Sequence, residues 1–192
     1  MKDLSVIRKI AEESHDDWGF KYHIIPVVKN AVFLAKKLNA DLEVVEVAAY
    51  LHDLGISKKI MGDTYAKEND HHIVGAEEAR NILKELNYSE EFIDSVANCI
   101  LSHRGRKGPE PITIEQKIIA NADAMAHFDT FLDLFTFFVT KTTGSFEEAV
   151  EEIYKKMKRD WEIKLTLPEA KELVKPKYDA IILLLENMKG YF

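Results

Sequence analysis

The sequence predicts an all-α protein, and three observations carry that expectation. Apolar residues recur with a helical period along almost the whole chain, and no segment alternates convincingly in the strand manner. Residues suited to helix N-termini (Asp41, Ser89, Thr113, Ser145 and Thr166) stand where that periodicity restarts. No internal repeat or low-complexity run interrupts the pattern.

A first helix is expected from about Leu4 to Ser14. A second runs roughly from Tyr22 to Leu38, with Ile24, Val27, Val28, Ala31, Leu34 and Leu38 as its apolar stripe. Pro26 fits in its first turn, where a missing N–H loses no intrahelical bond. Asp41 is the expected N-cap of a third helix that ends at Leu54, with Gly55 as the residue just past its end. The polar stretch MGDTYAKEND then leads to a helix from about His72 to Leu86, and Ser89 starts another that ends near Ser102. HRGRKGPEP, residues 103–111, reads as a loop. Thr113 with Gln116 forms a capping-box pattern at the head of a long helix reaching about Val139. Ser145 with Glu148, and Thr166 with Glu169, open the last two helices, and Pro168 suits the first turn of the final one. Within them, KKMKRD (residues 155–160) reads as the wet face of an amphipathic helix, whereas the aromatics Phe128, Phe131, Phe135, Phe137 and Phe138 read as core.

With 192 residues, 46% of them hydrophobic and 31% charged, the chain is long enough to bury a real core and reads as soluble. MKDLSVIRKIAEES is charged throughout and is no secretory signal, and the apolar run LFTFFV is far too short to span a bilayer. One cysteine excludes an internal disulfide framework, so a cytoplasmic location is expected. The net charge of −7 argues against a nucleic-acid binder that works by bulk electrostatics. A homo-oligomer stays open.

The seven histidines are the informative residues: His15, His23, His52, His71, His72, His103 and His127. Most fall at or near expected helix ends, where side chains from several elements converge on one cleft. Divalent first-row metals want such converging imidazoles and carboxylates. His52 and Asp53 are adjacent, about 100° apart around a helix, so they approach one ion from two directions, or Asp53 bridges two. The dipeptide alone is a poor signal, since His15-Asp16 repeats it; those two read as entrance-loop residues. Asp123 has a case of its own, because Ile118, Ile119, Ala120, Ala122 and Met125 surround it, and a carboxylate buried there needs a cation or strong hydrogen bonds. His127 follows one turn later on the same face. Lys58 and Lys59 follow the His-Asp pair, and Arg104, Arg106 and Lys107 follow His103, as cations suited to phosphate oxygens.

Read in order, the chain presents His23, then His52-Asp53, then a histidine before a glycine in HHIVGAEEA, then His103 in CILSHRG, and last Asp123 in IIANADAMAHFD. This order resembles the HD-domain superfamily of metal-dependent phosphohydrolases, H…HD…D on an all-α core, from about Ser14 to Asp129. The resemblance implies a single HD-type domain over residues 1–192, with a metal-binding core at about 14–140 and a C-terminal helical extension at about 145–190. It implies His23, His52, Asp53 and Asp123 as metal ligands. As in dinuclear members, His103 and His71 join them, with His72 as the nearby alternative to His71. The implied cofactor is one or two divalent first-row ions (Mn, Fe, Co, Ni or Zn).

The implied activity is hydrolysis of a nucleotide or other small phosphoester, monoester or diester, by a metal-activated water that Asp53 orients. Lys58, His72, Arg104, Arg106 and His127 are the candidate substrate contacts. Two departures stand out. No glutamate follows three residues after Asp53, which speaks against the mononuclear nucleotidases, and Ala-Met-Ala-His follows Asp123 where relatives often have Arg-Leu-Asp. A regulatory nucleotide-binding module without turnover and a di-iron oxygenase remain as alternatives.

Overall fold

The first helix buries Ile7 and Ala11 on one side and leaves charged residues on the other, as its periodicity requires. In the computed structural model, which describes residues 4–56, 70–105 and 108–191, it is α1 (Ser5–Ser14). It is followed by α2 (Asp17–Gly19), a π-helical turn at Phe20–Ile24, α3 (Ile25–Leu38), α4 (Leu42–Leu51) and a 3₁₀ turn at Leu54–Ile56. Next come α5 (His71–Glu85), α6 (Glu90–Ser102), α7 (Ile114–Asp129) and α8 (Phe131–Phe137). A second π-helical turn (Phe138–Thr142), α9 (Phe146–Arg159), a third π-helical turn (Asp160–Lys164) and α10 (Pro168–Lys189) complete the order. The described residues contain no strand, and the all-α expectation holds.

The core lies where α3 packs on α4 and α7, and α6 packs on α4, α5 and α7. Ile24, Leu34, Leu51, Ile100, Ile118 and Ile119 are fully buried there. α9 and α10 pack on each other, and α10 also rests on α7. Asn121 fixes that junction: its Oδ1 accepts from the backbone amides of Thr166 (2.9 Å) and Leu167 (3.0 Å), and its Nδ2 donates to the Lys117 carbonyl and the Thr166 hydroxyl. Every polar group of this fully buried amide is therefore satisfied, as burial demands.

Several local expectations hold. Asp41 accepts from the Glu43 and Val44 amides, Ser89 from Phe92, and Ser145 from Glu148. Both halves of the Thr113–Gln116 capping box are formed. Others change. Thr166 does not cap α10, because its hydroxyl and amide are both engaged by Asn121; Leu167 takes the cap position without a side-chain bond. The long helix expected to reach Val139 breaks at Thr130. The second helical stretch opens at Asp17 rather than Tyr22, through α2 and a π-helical turn closed by a bond from the Ile25 amide to the Phe20 carbonyl, while Pro26 falls in the first turn of α3 as expected.

The correction that matters most for the site is at the end of α4. The helix stops at Leu51, three residues before the expected end, and His52 and Asp53 occupy the turn that follows. Gly55 is not a left-handed helix terminator, since the positive-φ glycine among the described residues is Gly105. A Cβ on Gly55 would stand 1.9 Å from the carbonyl oxygen of His71 and 2.9 Å from the amide nitrogen of Gly75. The glycine is there so that the 3₁₀ turn and the start of α5 touch backbone to backbone, which brings Asp53 and His71 together.

Candidate metal centre

Five elements deliver side chains to one buried cluster. His23 comes from the π-helical turn before α3, His52 and Asp53 from the turn after α4, and His71 from the first residue of α5. His103 follows α6, and Asp123 and His127 lie one turn apart on α7. π-helical turns widen the helix locally and often mark functional positions.

Asp53 stands in the middle. Its Oδ2 lies 3.1 Å from Nε2 of His23 and 3.3 Å from Nε2 of His52. Its Oδ1 lies 3.6 Å from Nε2 of His71 and 3.6 Å from Nε2 of His103. Oδ1 of Asp123 faces Nε2 of His23 at 3.4 Å and Nε2 of His127 at 3.5 Å. Three groups result that could each hold a metal ion: His23, His52 and Asp53; His23, Asp123 and His127; and Asp53, His71 and His103.

The donor atoms fit such an ion. Nε2 of His23 and His52 are 3.2 Å apart, and those of His71 and His103 are 3.3 Å apart. Two imidazole nitrogens about 2.1 Å from one ion stand roughly 3.0–3.4 Å apart at octahedral to tetrahedral angles. Tautomers fit too. Nδ1 of His52 lies 2.9 Å from the Ala49 carbonyl and Nδ1 of His103 lies 2.6 Å from that of Ile100. A carbonyl only accepts, so each Nδ1 carries a proton, and Nε2 is the ring nitrogen turned toward Asp53, where it would hold an ion once free of any proton of its own.

Packed this closely, the buried groups shift one another's pKa values in both directions. Burial alone would raise the Asp53 carboxyl, but the charge of His52 and hydrogen bonds from His23 and His52 hold it well below the usual carboxylate range. Burial opposes charge on His52 as well, yet Asp53 prevails and lifts it to about 9. Burial and the charge of His52 push His103 down to about 3, keeping it a neutral donor. His127 falls to about 4 through burial and the nearby Lys156.

The other expected residues fall as follows. His72 is buried beside His71 but belongs to none of the three groups, and its Nδ1 has no partner among the described residues. Burial, and then the charge of Arg104, lower its pKa. Lys58, Lys59, Arg106 and Lys107 lie outside the described residues. His15 and Asp16 serve the backbone: Asp16 caps α2 through the Gly19 amide, and Nδ1 of His15 meets the Ala11 carbonyl.

KKMKRD requires a correction. Lys156 and Asp160 are not on a wet face; Asp160 is fully buried, accepts from Lys156 at 2.9 Å, and lies 2.9 Å from Nδ1 of His127. Lys164, four residues on, pairs with Oδ2 of Asp123. The signal was in the chain. Val150, Ile153 and Met157 form the buried stripe of α9, and Asp160 and Lys164 continue that spacing with charges. A charge on an apolar stripe needs a buried partner.

The family model described as HD domain matches residues 20–127, more than half of the chain and the whole of this cluster. The chain belongs to the HD domain family.

Solved structures share its fold. Bacillus subtilis YpgQ in complex with ADP superposes with a TM-score of 0.73 at 23% identity, covering 97% of this HD protein and 93% of YpgQ. A predicted HD superfamily hydrolase from an uncultured Thermotogales bacterium gives a TM-score of 0.61 at 21% identity, covering 98% and 92%. A curated relative, the tRNA (cytidine(56)-2'-O)-methyltransferase of Picrophilus torridus, is 30% identical over 135 residues. That match takes in 65% of the HD protein but 36% of the methyltransferase. No described helix is long and apolar enough to cross a membrane.

Proposed function

We propose that this HD protein is a metal-dependent phosphohydrolase acting on a nucleotide or other small phosphoester, with His23, His52, Asp53, His71, His103 and Asp123 as ligands. The observation that carries the reading is the division of Asp53, whose two oxygens face two separate histidine pairs. One or two divalent ions held there would lower the pKa of a water and neutralise charge on phosphoryl oxygens. Asp53 would orient that water. His127, steadied by Asp160, stands beside Asp123 where a substrate oxygen would approach, and His72 and Arg104 are further substrate contacts in this reading. Lys58 and Arg106 are further phosphate contacts in this reading. The core at about 14–140 and the extension at about 145–190 form one HD-type domain.

Protein loaded with Mn²⁺, Co²⁺, Ni²⁺ or Fe²⁺ should release phosphate, or the products of diester cleavage, from a panel of nucleotides and phosphoesters. ADP is a first choice, because YpgQ, of the same fold, is held in complex with it. No turnover across the panel with metal bound would contradict the reading. Ligand-dependent melting alone would indicate a regulatory module, and oxygen uptake by the Fe²⁺ form an oxygenase.

His71 and His72 separate cleanly by variant. His71→Ala should weaken metal binding at least about tenfold, the lower end of what even outer residues of metal sites contribute. His72→Ala should leave metal binding near wild type while altering KM. Titration calorimetry with Mn²⁺ checks both, and the reverse order would refute the assignment of His71.

A further inference from the structure

Lys164 lies outside the residues that the HD family model matches, yet it reaches the metal centre. Its side chain is only 11% exposed, and its ammonium pairs with Oδ2 of Asp123. The other oxygen of that carboxylate, Oδ1, faces His23 and His127. Asp123 is thus divided: one oxygen toward the histidine cluster, the other toward a lysine. Oδ1 would be available to a metal held at the cluster while Oδ2 keeps Lys164.

The position is built rather than incidental. Asn121, two residues before Asp123, clamps the backbone of Thr166 and Leu167, just past Lys164. The lysine stem passes Gly105, where a Cβ would lie 3.6 Å from Cγ of Lys164, and Gly105 has a φ of 65° in the turn that carries His103. Lys164 therefore bridges the His103 turn and Asp123. Asp160, on the same π-helical turn, is already engaged by Lys156 and His127 and leaves Lys164 to Asp123.

We propose that Lys164 binds a phosphoryl oxygen of the substrate, so that the C-terminal segment beyond the HD core completes the site. An ammonium carries three donors, and Asp123 takes one. A lysine beside a metal-ligating carboxylate presents compact positive charge to a phosphate whose remaining oxygens rest on the metal. The inference rests on the phosphohydrolase reading. It goes beyond that reading in assigning substrate recognition to a residue the HD motif does not contain.

The test uses the full chain loaded with Mn²⁺, with inorganic phosphate and ADP as probes and titration calorimetry as readout. Lys164→Met should keep metal binding within about threefold of wild type and lose phosphate and ADP affinity by about 10–100-fold, the range of a charge-assisted hydrogen bond. KM should rise by a similar factor. Lys164→Arg keeps the Asp123 pair and should recover part of the loss; if the methionine variant does not fold, the arginine variant is read alone and should weaken phosphate at least about threefold with metal unchanged. Unchanged phosphate and ADP affinity, or a loss confined to the metal, would overturn the inference and leave Lys164 a counter-ion of Asp123. Wild-type protein that holds metal but takes up neither probe would overturn the phosphohydrolase reading itself.

Discussion

Asp53→Asn is expected to lower hydrolytic activity by well over 100-fold while the helical fold is kept. Asparagine preserves the shape of the side chain and removes its charge. That charge is the only one shared by both histidine pairs, His23 with His52 through Oδ2 and His71 with His103 through Oδ1, among the described residues. Loss of a residue merely behind a metal ligand typically lowers affinity or activity 10–100-fold, so loss of the shared ligand should exceed that range. The change also releases His52, whose raised pKa of about 9 is sustained against burial by Asp53. Steady-state rates on whichever phosphoester the wild type hydrolyses, with circular dichroism to check folding, give the comparison. A well-folded variant within tenfold of wild type would remove Asp53 from the centre of the chemistry.

Gly55→Ala is expected to act on both stability and the site. The added Cβ would meet the His71 carbonyl oxygen at 1.9 Å and its carbonyl carbon at 2.7 Å, both backbone atoms with no rotamer to change. The start of α5 must move. Forcing an extra methyl into a packed contact destabilises by about 1–3 kcal/mol. For a chain of this size that corresponds to a fall in Tm of roughly 2–12 °C. His71 moves with the backbone, so its approach to Asp53 at 3.6 Å should be lost and metal affinity should fall as well. Thermal unfolding and calorimetry read the two effects, and a variant equal to wild type in both would show that the close approach is not needed.

Much of this architecture was legible because helices announce themselves locally. The caps at Asp41, Ser89 and Thr113 act within four residues, and the buried stripe of α3 follows from periodicity alone. The residues in the cluster were legible as types in an order, since His23, His52, Asp53, His103 and Asp123 stand at helix ends or on an apolar helix. The reason for Gly55 was not legible, because it depends on the carbonyl of a residue sixteen positions away. Thr166 carried a valid capping signature, but a side chain from α7 outcompeted it. Lys156, Asp160 and Lys164 were misread or missed because charges at helical spacing resemble a solvated face until the apolar stripe they continue is traced through Met157. Their partners lie on α7, 29 to 41 positions earlier in the chain.

The most direct test is the metal content of protein purified without added metal or chelator, measured by inductively coupled plasma mass spectrometry for wild type and Asp53→Ala. The wild type should carry a first-row divalent metal, and the variant, still folded, should have lost it. A folded Asp53→Ala protein that retains as much metal as the wild type would contradict the assignment of this cluster as the metal centre.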